Sequence, residues 1–99
     1  MIRVLLVDDH ALVRAGIHSL LQGMREVQVV AEASSGEEAL EVADRERPDV
    51  VLMDIAMKGI TGLESAAQMR ERYPEVRVKL FYKRDIERLA QRYRLDLAS

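Results

Sequence analysis

A chain of 99 residues holds one domain at most, and 48% hydrophobic residues give that domain enough apolar material for a core. It contains no Cys, which excludes disulfides and thiolate metal sites, and no apolar run approaching the ~20 residues of a membrane span. Charge is uneven: residues 1–74 carry 8 Lys/Arg against 13 Asp/Glu (−5) and residues 75–99 carry 7 against 4 (+3), so the acidic bulk argues against nucleic acid as the main partner.

Aromatic residues are only 4% and Trp is absent, so the core must be aliphatic. The opening MIRVLLVDDH is not a signal peptide, because Asp8 breaks its apolar run. With no Cys, this fits a reducing, cytoplasmic setting.

In chain order, IRVLLV (2–7) is a short continuous apolar run, as in a strand buried on both faces. ALVRAGIHSLLQ (11–22) places Leu12, Val13, Gly16, Ile17, Leu20 and Leu21 on one helical stripe, stopped by Gly23. VQVVAEA (27–33) alternates more and reads as a strand nearer an edge. Ser35 with Glu38 forms a capping-box pattern for a helix to about Glu46, its buried side Ala39, Leu40, Val42 and Ala43. Pro48 closes that connection, and DVVLMD (49–54) is the third strand.

Gly59 and Gly62 bracket a loop. GLESAAQMRERY (62–73) is the third helix, ended by Pro74, and VRVKLFY (76–82) the fourth strand. Lys79 is out of place in a strand buried on both faces, where an unpaired ammonium must pair, snorkel or face solvent. RDIERLAQRY sets Ile86, Leu89, Ala90 and Tyr93 at helical spacing, and RLDLAS is a tail that could act as a short replacement strand.

Strict βα alternation builds a parallel sheet with helices on both faces, with ligands beyond the carboxyl ends of the strands. Asp8, Asp9 and Asp54 all fall at carboxyl ends and converge if the first and third strands are neighbours. Taken singly, Asp9 could cap the following helix and Asp54 could be a turn residue. Together they repel unless a cation neutralises them. A hard divalent ion suits oxygen ligands, Mg²⁺ best because it keeps waters for a phosphate. A carboxylate beside it can act as a nucleophile towards phosphorus. By the same repulsion, Asp9→Asn should stabilise the metal-free fold.

His10 and His18 read as solvent-facing helix residues. The Met residues read as core filler rather than a soft-metal site. No phosphate-binding glycine fingerprint is present.

VLLVDDHALVRAGIHSLL, EASSGEEAL, RPDVVLMDIAMKGITGLE and YPEVRV together resemble the receiver domain of two-component response regulators, especially the LuxR/FixJ-type branch. The resemblance runs from Ile2 to about Val78. It implies a flavodoxin-like (CheY-like) doubly wound parallel sheet of order 2-1-3-4, here lacking the usual fifth βα unit. It implies that Asp54 is the phosphoacceptor of a histidine kinase. Asp8, Asp9, Asp54 and the Ala56 carbonyl would be the Mg²⁺ ligands, with Asp9 more direct than Asp8. Such a chain is a signalling phosphoacceptor rather than a conventional enzyme.

Two departures stand out. Tyr82 occupies the place where receivers carry Ser or Thr, and the Lys that receivers bring on a fifth strand has no counterpart in position. Lys79 and Lys83 lie on or beside the fourth strand, and Lys83 could reach the acids only by an unexpected path. Residues 79–99 therefore read as an atypical part of a single 1–99 domain. That segment fits a recombined or engineered chimera, a truncated paralogue, or a divergent receiver end. The alternative function is a scaffold that keeps the fold without switching. An exposed fourth strand would favour a homo-oligomer, and no DNA-binding domain is read in the chain.

Overall fold

The structure, a computed structural model, describes residues 1–92. The elements alternate as β1 (Ile2–Val7), α1 (Ala11–Gln22), β2 (Val27–Ala33), α2 (Gly36–Glu46), β3 (Val50–Asp54), α3 (Gly62–Arg72), β4 (Arg77–Phe81) and α4 (Lys83–Arg92). All strand pairs are parallel, in the order β2-β1-β3-β4. This is the doubly wound sheet that βα alternation dictates, with four strands among the described residues. The suggested strand in RLDLAS falls outside them, as does Tyr93.

Alternation along the central strands feeds two cores. Leu5, Val7, Val51 and Met53 join Ala39, Leu40, Val42 and Ala43 of α2 and Met69 of α3 on one face. Leu6 packs with Val13 and Ile17 of α1 on the other, where Leu52, Phe81 and Ile86 of α4 lie against them. Leu5, Leu6, Val7, Val51 and Met53 are fully buried. Each such side chain contributes about 1.5–3 kcal/mol relative to exposure. Met53, Met57 and Met69 are core filler as expected, whereas Met24 is exposed.

Two expectations about burial need correction. The α1 stripe is narrower than its pattern: Val13 and Ile17 are buried, but Leu12 is 51% exposed, because α1 rests over β1 and the outer strand β2. β4 is not buried on both faces. Its pairing among the described residues is to β3 alone, and its burial alternates, so Lys79 simply faces solvent.

The Ser35 cap expected from the sequence forms, and Thr61 caps α3 in the same way. The Ser35 side chain accepts from the Glu38 N–H, and that of Thr61 from the Glu64 N–H. The return half of the Ser35 box is rerouted, since Glu38 takes the Ser34 hydroxyl. Pro48 disfavours right-handed helix at Arg47, which ends α2 in the left-handed region at φ 48°. Asp49 ties the amino end of the sheet: it accepts from the Arg3 N–H, and its own N–H donates to the Arg3 carbonyl.

Candidate functional site

Parallel register sets Val7 opposite Met53, so the next residues on each strand, Asp8 and Asp54, emerge side by side. Asp9 follows Asp8 into the turn before α1. One carboxylate oxygen from each of the three lies within 4.8 Å of the others. Asp8 and Asp54 are fully buried, and the Asp9 side chain is 24% exposed.

The polypeptide holds each acid separately. Asp8 Oδ1 accepts from the His10 N–H at 2.7 Å, while Arg14 Nη1 donates to the Asp8 carbonyl at 2.6 Å. Asp9 Oδ2 accepts from the Lys58 N–H at 3.3 Å. Asp54 Oδ1 accepts from the Ala56 N–H at 3.1 Å. The loop after β3 is fixed from three sides. The Ile55 N–H donates to the Phe81 carbonyl, the Gly62 N–H to the Ile55 carbonyl, and the Ile60 N–H to Glu37 Oε1. Gly59 turns that loop at φ 81°, a conformation costly to a residue with a β-carbon.

The Lys83 ammonium then enters from the first turn of α4. Nζ stands 2.8 Å from Asp9 Oδ1, 3.3 Å from Asp54 Oδ2 and 3.6 Å from Asp8 Oδ1. The contact with Asp9 is a hydrogen bond. Asp54 Oδ2 lies off the hydrogen-bonding direction, so its contact is ionic. Asp8 Oδ2 is buried with no hydrogen-bond partner.

These surroundings push the acids apart. Burial raises the Asp8 carboxyl above its ordinary value, helped by the Asp54 and Asp9 charges and opposed by the His10 N–H and Lys83. Asp9 is held below its ordinary value by the Lys83 hydrogen bond first, against some desolvation, with the Lys58 N–H adding to the lowering. For Lys83 itself burial is the largest single influence and acts downward. The Asp9 hydrogen bond, the close Asp54 carboxylate and the charge of Asp8 together outweigh it, and the ammonium is raised.

The acids expected at the site are thus brought together, and Ala56 is beside them through its N–H. Asp9 does not cap α1; His10 does, its Nδ1 accepting from the Val13 N–H. His18 Nδ1 meets Glu32 Oε2 at 3.0 Å, away from the acids. Tyr82 is 46% exposed and carries the Arg84 guanidinium 5.0 Å over its ring.

Lys83 is the residue that sequence reasoning underrated. The β3–β4 register supplies what the sequence lacked: Phe81 is level with Asp54, which puts Lys83 two residues past it, beside the acid. No helix among the described residues is long and apolar enough to cross a membrane.

The model of the response regulator receiver domain matches residues 4–94. Response regulator GacA of Pseudomonas viridiflava is 51% identical over 78 residues, which are 79% of this chain and 36% of that protein. The chain therefore spans about a third of the length of the curated relatives it matches. Among solved structures, a LuxR-family two-component response regulator from Aurantimonas superposes with a TM-score of 0.80 at 34% identity, over 83% of this chain and 59% of that one. The signal receiver domain of NarL from Mycobacterium tuberculosis does so at 0.76 and 36% identity, over 92% and 76%. With a family match across most of its residues, a parallel 2-1-3-4 sheet and three acids at the carboxyl ends of its central strands, this chain belongs to the response regulator receiver domain family.

Proposed function

We propose that the chain is a phosphoacceptor: Asp54 takes a phosphoryl group from a histidine kinase, with Mg²⁺ held by Asp8, Asp9, Asp54 and the Ala56 carbonyl. The observation that carries this reading is a fully buried Asp54 carboxylate within 4.8 Å of two further carboxylates. Lys83 brings one positive charge to three carboxyl groups, and a divalent cation would offset more of their repulsion. The donor set is all oxygen, and Asp8 Oδ2 and Asp54 Oδ2 are buried without hydrogen-bond donors, which fits a hard divalent ion. When bound, Mg²⁺ would offset negative charge on the transferring group.

The residues divide the remaining work. Asp54 Oδ1 is occupied by the Ala56 N–H, which leaves Oδ2 as the attacking oxygen. A lone pair on Oδ2 forms the new P–O bond while the P–N bond of the phosphohistidine breaks, its electrons returning to the imidazole, which takes up a proton. The Ala56 N–H and the Ile55 link to β4 keep the carboxylate in place, so little reorganisation accompanies attack. The reaction belongs to the cytoplasm, where such kinases present their phosphohistidine.

Intact mass after incubation with acetyl phosphate, with and without Mg²⁺, tests this against an Asp54→Asn control. A phosphoryl adduct that needs Mg²⁺ and is absent from the control is expected. No adduct on a folded protein would overturn the reading. It would favour the alternative, a receiver-like scaffold that does not switch, for which Tyr82 speaks because its exposed ring stands where a short hydroxyl would be needed.

A further inference from the structure

We infer that the cleft between α2 and α3 is a docking groove for α4 of a second copy of this chain, with Glu37 and Glu41 receiving Arg84 and Arg88. This goes beyond the phosphoacceptor reading and does not depend on it.

The groove has a volume of about 760 Å³, and Leu40, Ile60 and Tyr73 give it an apolar lining. Its acids are not equivalent. Asp44 already accepts from the Tyr73 hydroxyl and pairs with Arg47. Glu37 and Glu41 are exposed and, among the described residues, belong to no ion pair. Glu37 Oε1 accepts from the Ile60 N–H, but a carboxylate has room for about four donors. Backbone N–H groups of Glu37 itself and of Ile60 hold that carboxyl below its ordinary value, so it is charged at neutral pH.

The complementary surface is on α4. Ile86 faces the α1 side of the sheet, and Arg84 and Arg88, two residues before and after it, are exposed. Two residues turn a helix by about 200°, so both arginines stand on its outer side. The Arg84 guanidinium is stacked 5.0 Å over the Tyr82 ring, which leaves its in-plane donors open. Residues four apart on a helix stand about 5–6 Å from each other, so the acid pair and the arginine pair share one spacing. The charge of the whole chain has the same polarity, −5 over residues 1–74 and +3 over residues 75–99. The contact is heterologous: every copy keeps one groove and one α4, so copies add head to tail. Exposed ion pairs are individually weak and screened by salt, so the assembly is weak and salt-sensitive. Pairing through the β4 edge would instead rest on backbone hydrogen bonds and respond little to these side chains.

Sedimentation velocity over a concentration series decides it, on the wild type, Glu41→Arg, Arg88→Glu and the double variant that carries both. Neither side chain makes a hydrogen bond or ion pair among the described residues, so the folds should persist. Each single change replaces an attraction by a repulsion of similar size and should weaken self-association by about 3–30-fold. The double variant reverses both charges and should regain it. A second arm needs no variant: raising salt from about 0.05 to 0.5 M should dissociate the wild type. A wild type that is monomeric at every concentration overturns the inference. So do single variants that associate like the wild type, a double variant that associates no better than the singles, or association that salt leaves unchanged.

Discussion

Replacing Gly62 with Ala should damage the fold and the acid site together. Gly62 opens α3, directly beneath the backbone that carries Asp54. A β-carbon there would overlap the Asp54 carbonyl oxygen and stand 2.7 Å from Ile55 Cα and 3.1 Å from the Asp54 carbonyl carbon. Carbons rest at about 3.5–4.0 Å, so the Ile55 backbone must retreat by about 1 Å. Every obstructing atom is backbone, and no side-chain end can swing aside. Overpacking of this kind costs about 1–3 kcal/mol, and each kcal/mol lowers the melting midpoint of a domain this size by about 4–8 °C. Helix propensity offers little relief at a first-turn position, because the advantage of Ala over Gly is largest inside a helix. The control is Gly23→Ala, whose β-carbon meets only the Leu20 carbonyl, at an ordinary 3.5 Å, with φ at −74°. That change should be neutral or stabilise by about 0.4–1 kcal/mol. Thermal melts and Mg²⁺ titrations of both variants provide the assay. A Gly62→Ala protein with wild-type melting and wild-type Mg²⁺ affinity would refute the claim that α3 seats on the Asp54 backbone.

Other expectations follow from the same contacts. The sequence suggested that Asp9→Asn would relieve repulsion, but Asp9 holds the Lys83 hydrogen bond, so its loss should destabilise by about 1.5–3 kcal/mol. Asp8→Asn is the change that should stabilise the metal-free protein, since burial already disfavours that charge; melts in chelator that rank the two the other way would contradict this. Asp9 is lowered in the fold, so its stabilisation is present above pH 3.8 and lost as pH falls through its folded value. Tyr73 is raised by burial and then by its hydrogen bond to Asp44, so the stability linked to it is complete below pH 10.0 and lost as pH rises through the folded value. Tyr73→Phe should flatten that alkaline loss, as followed by urea titrations at increasing pH. β4 pairs on one side among the described residues, and we expect self-association through it. A single monomer boundary at all concentrations in sedimentation velocity would rule that out.

The sheet was legible because the β1 and β3 runs are apolar on both faces and the helices carry caps at the right spacing. The Ser35 cap and the α2 stripe needed no tertiary information. The acids were legible as strand ends, and convergence followed once β1 and β3 were neighbours. The α1 stripe misled, because a period of 3.6 reports which face is apolar but not how far the sheet extends beneath it. Lys79 looked wrong only while β4 was taken as a two-sided strand. The partner of Asp9 was not legible for a related reason: repulsion among acids can be inferred from the chain, but the ammonium that answers it arrives from another element. Lys83 needed the β3–β4 register, which is a property of the paired strands and not of either one.

The distances along the chain between the partners at this site bear on how the protein folds. The Lys58–Asp9 hydrogen bond spans 49 residues and the Lys83–Asp9 bond 74. Contacts so far apart must meet a large loop-closure entropy before they stabilise anything, so they form late. The acid cluster then plays little part in the folding transition state, and ligands of the finished site act mainly on the unfolding rate. A bound ion or phosphoryl group should lengthen the lifetime of the native chain while leaving the speed of its first assembly nearly unchanged.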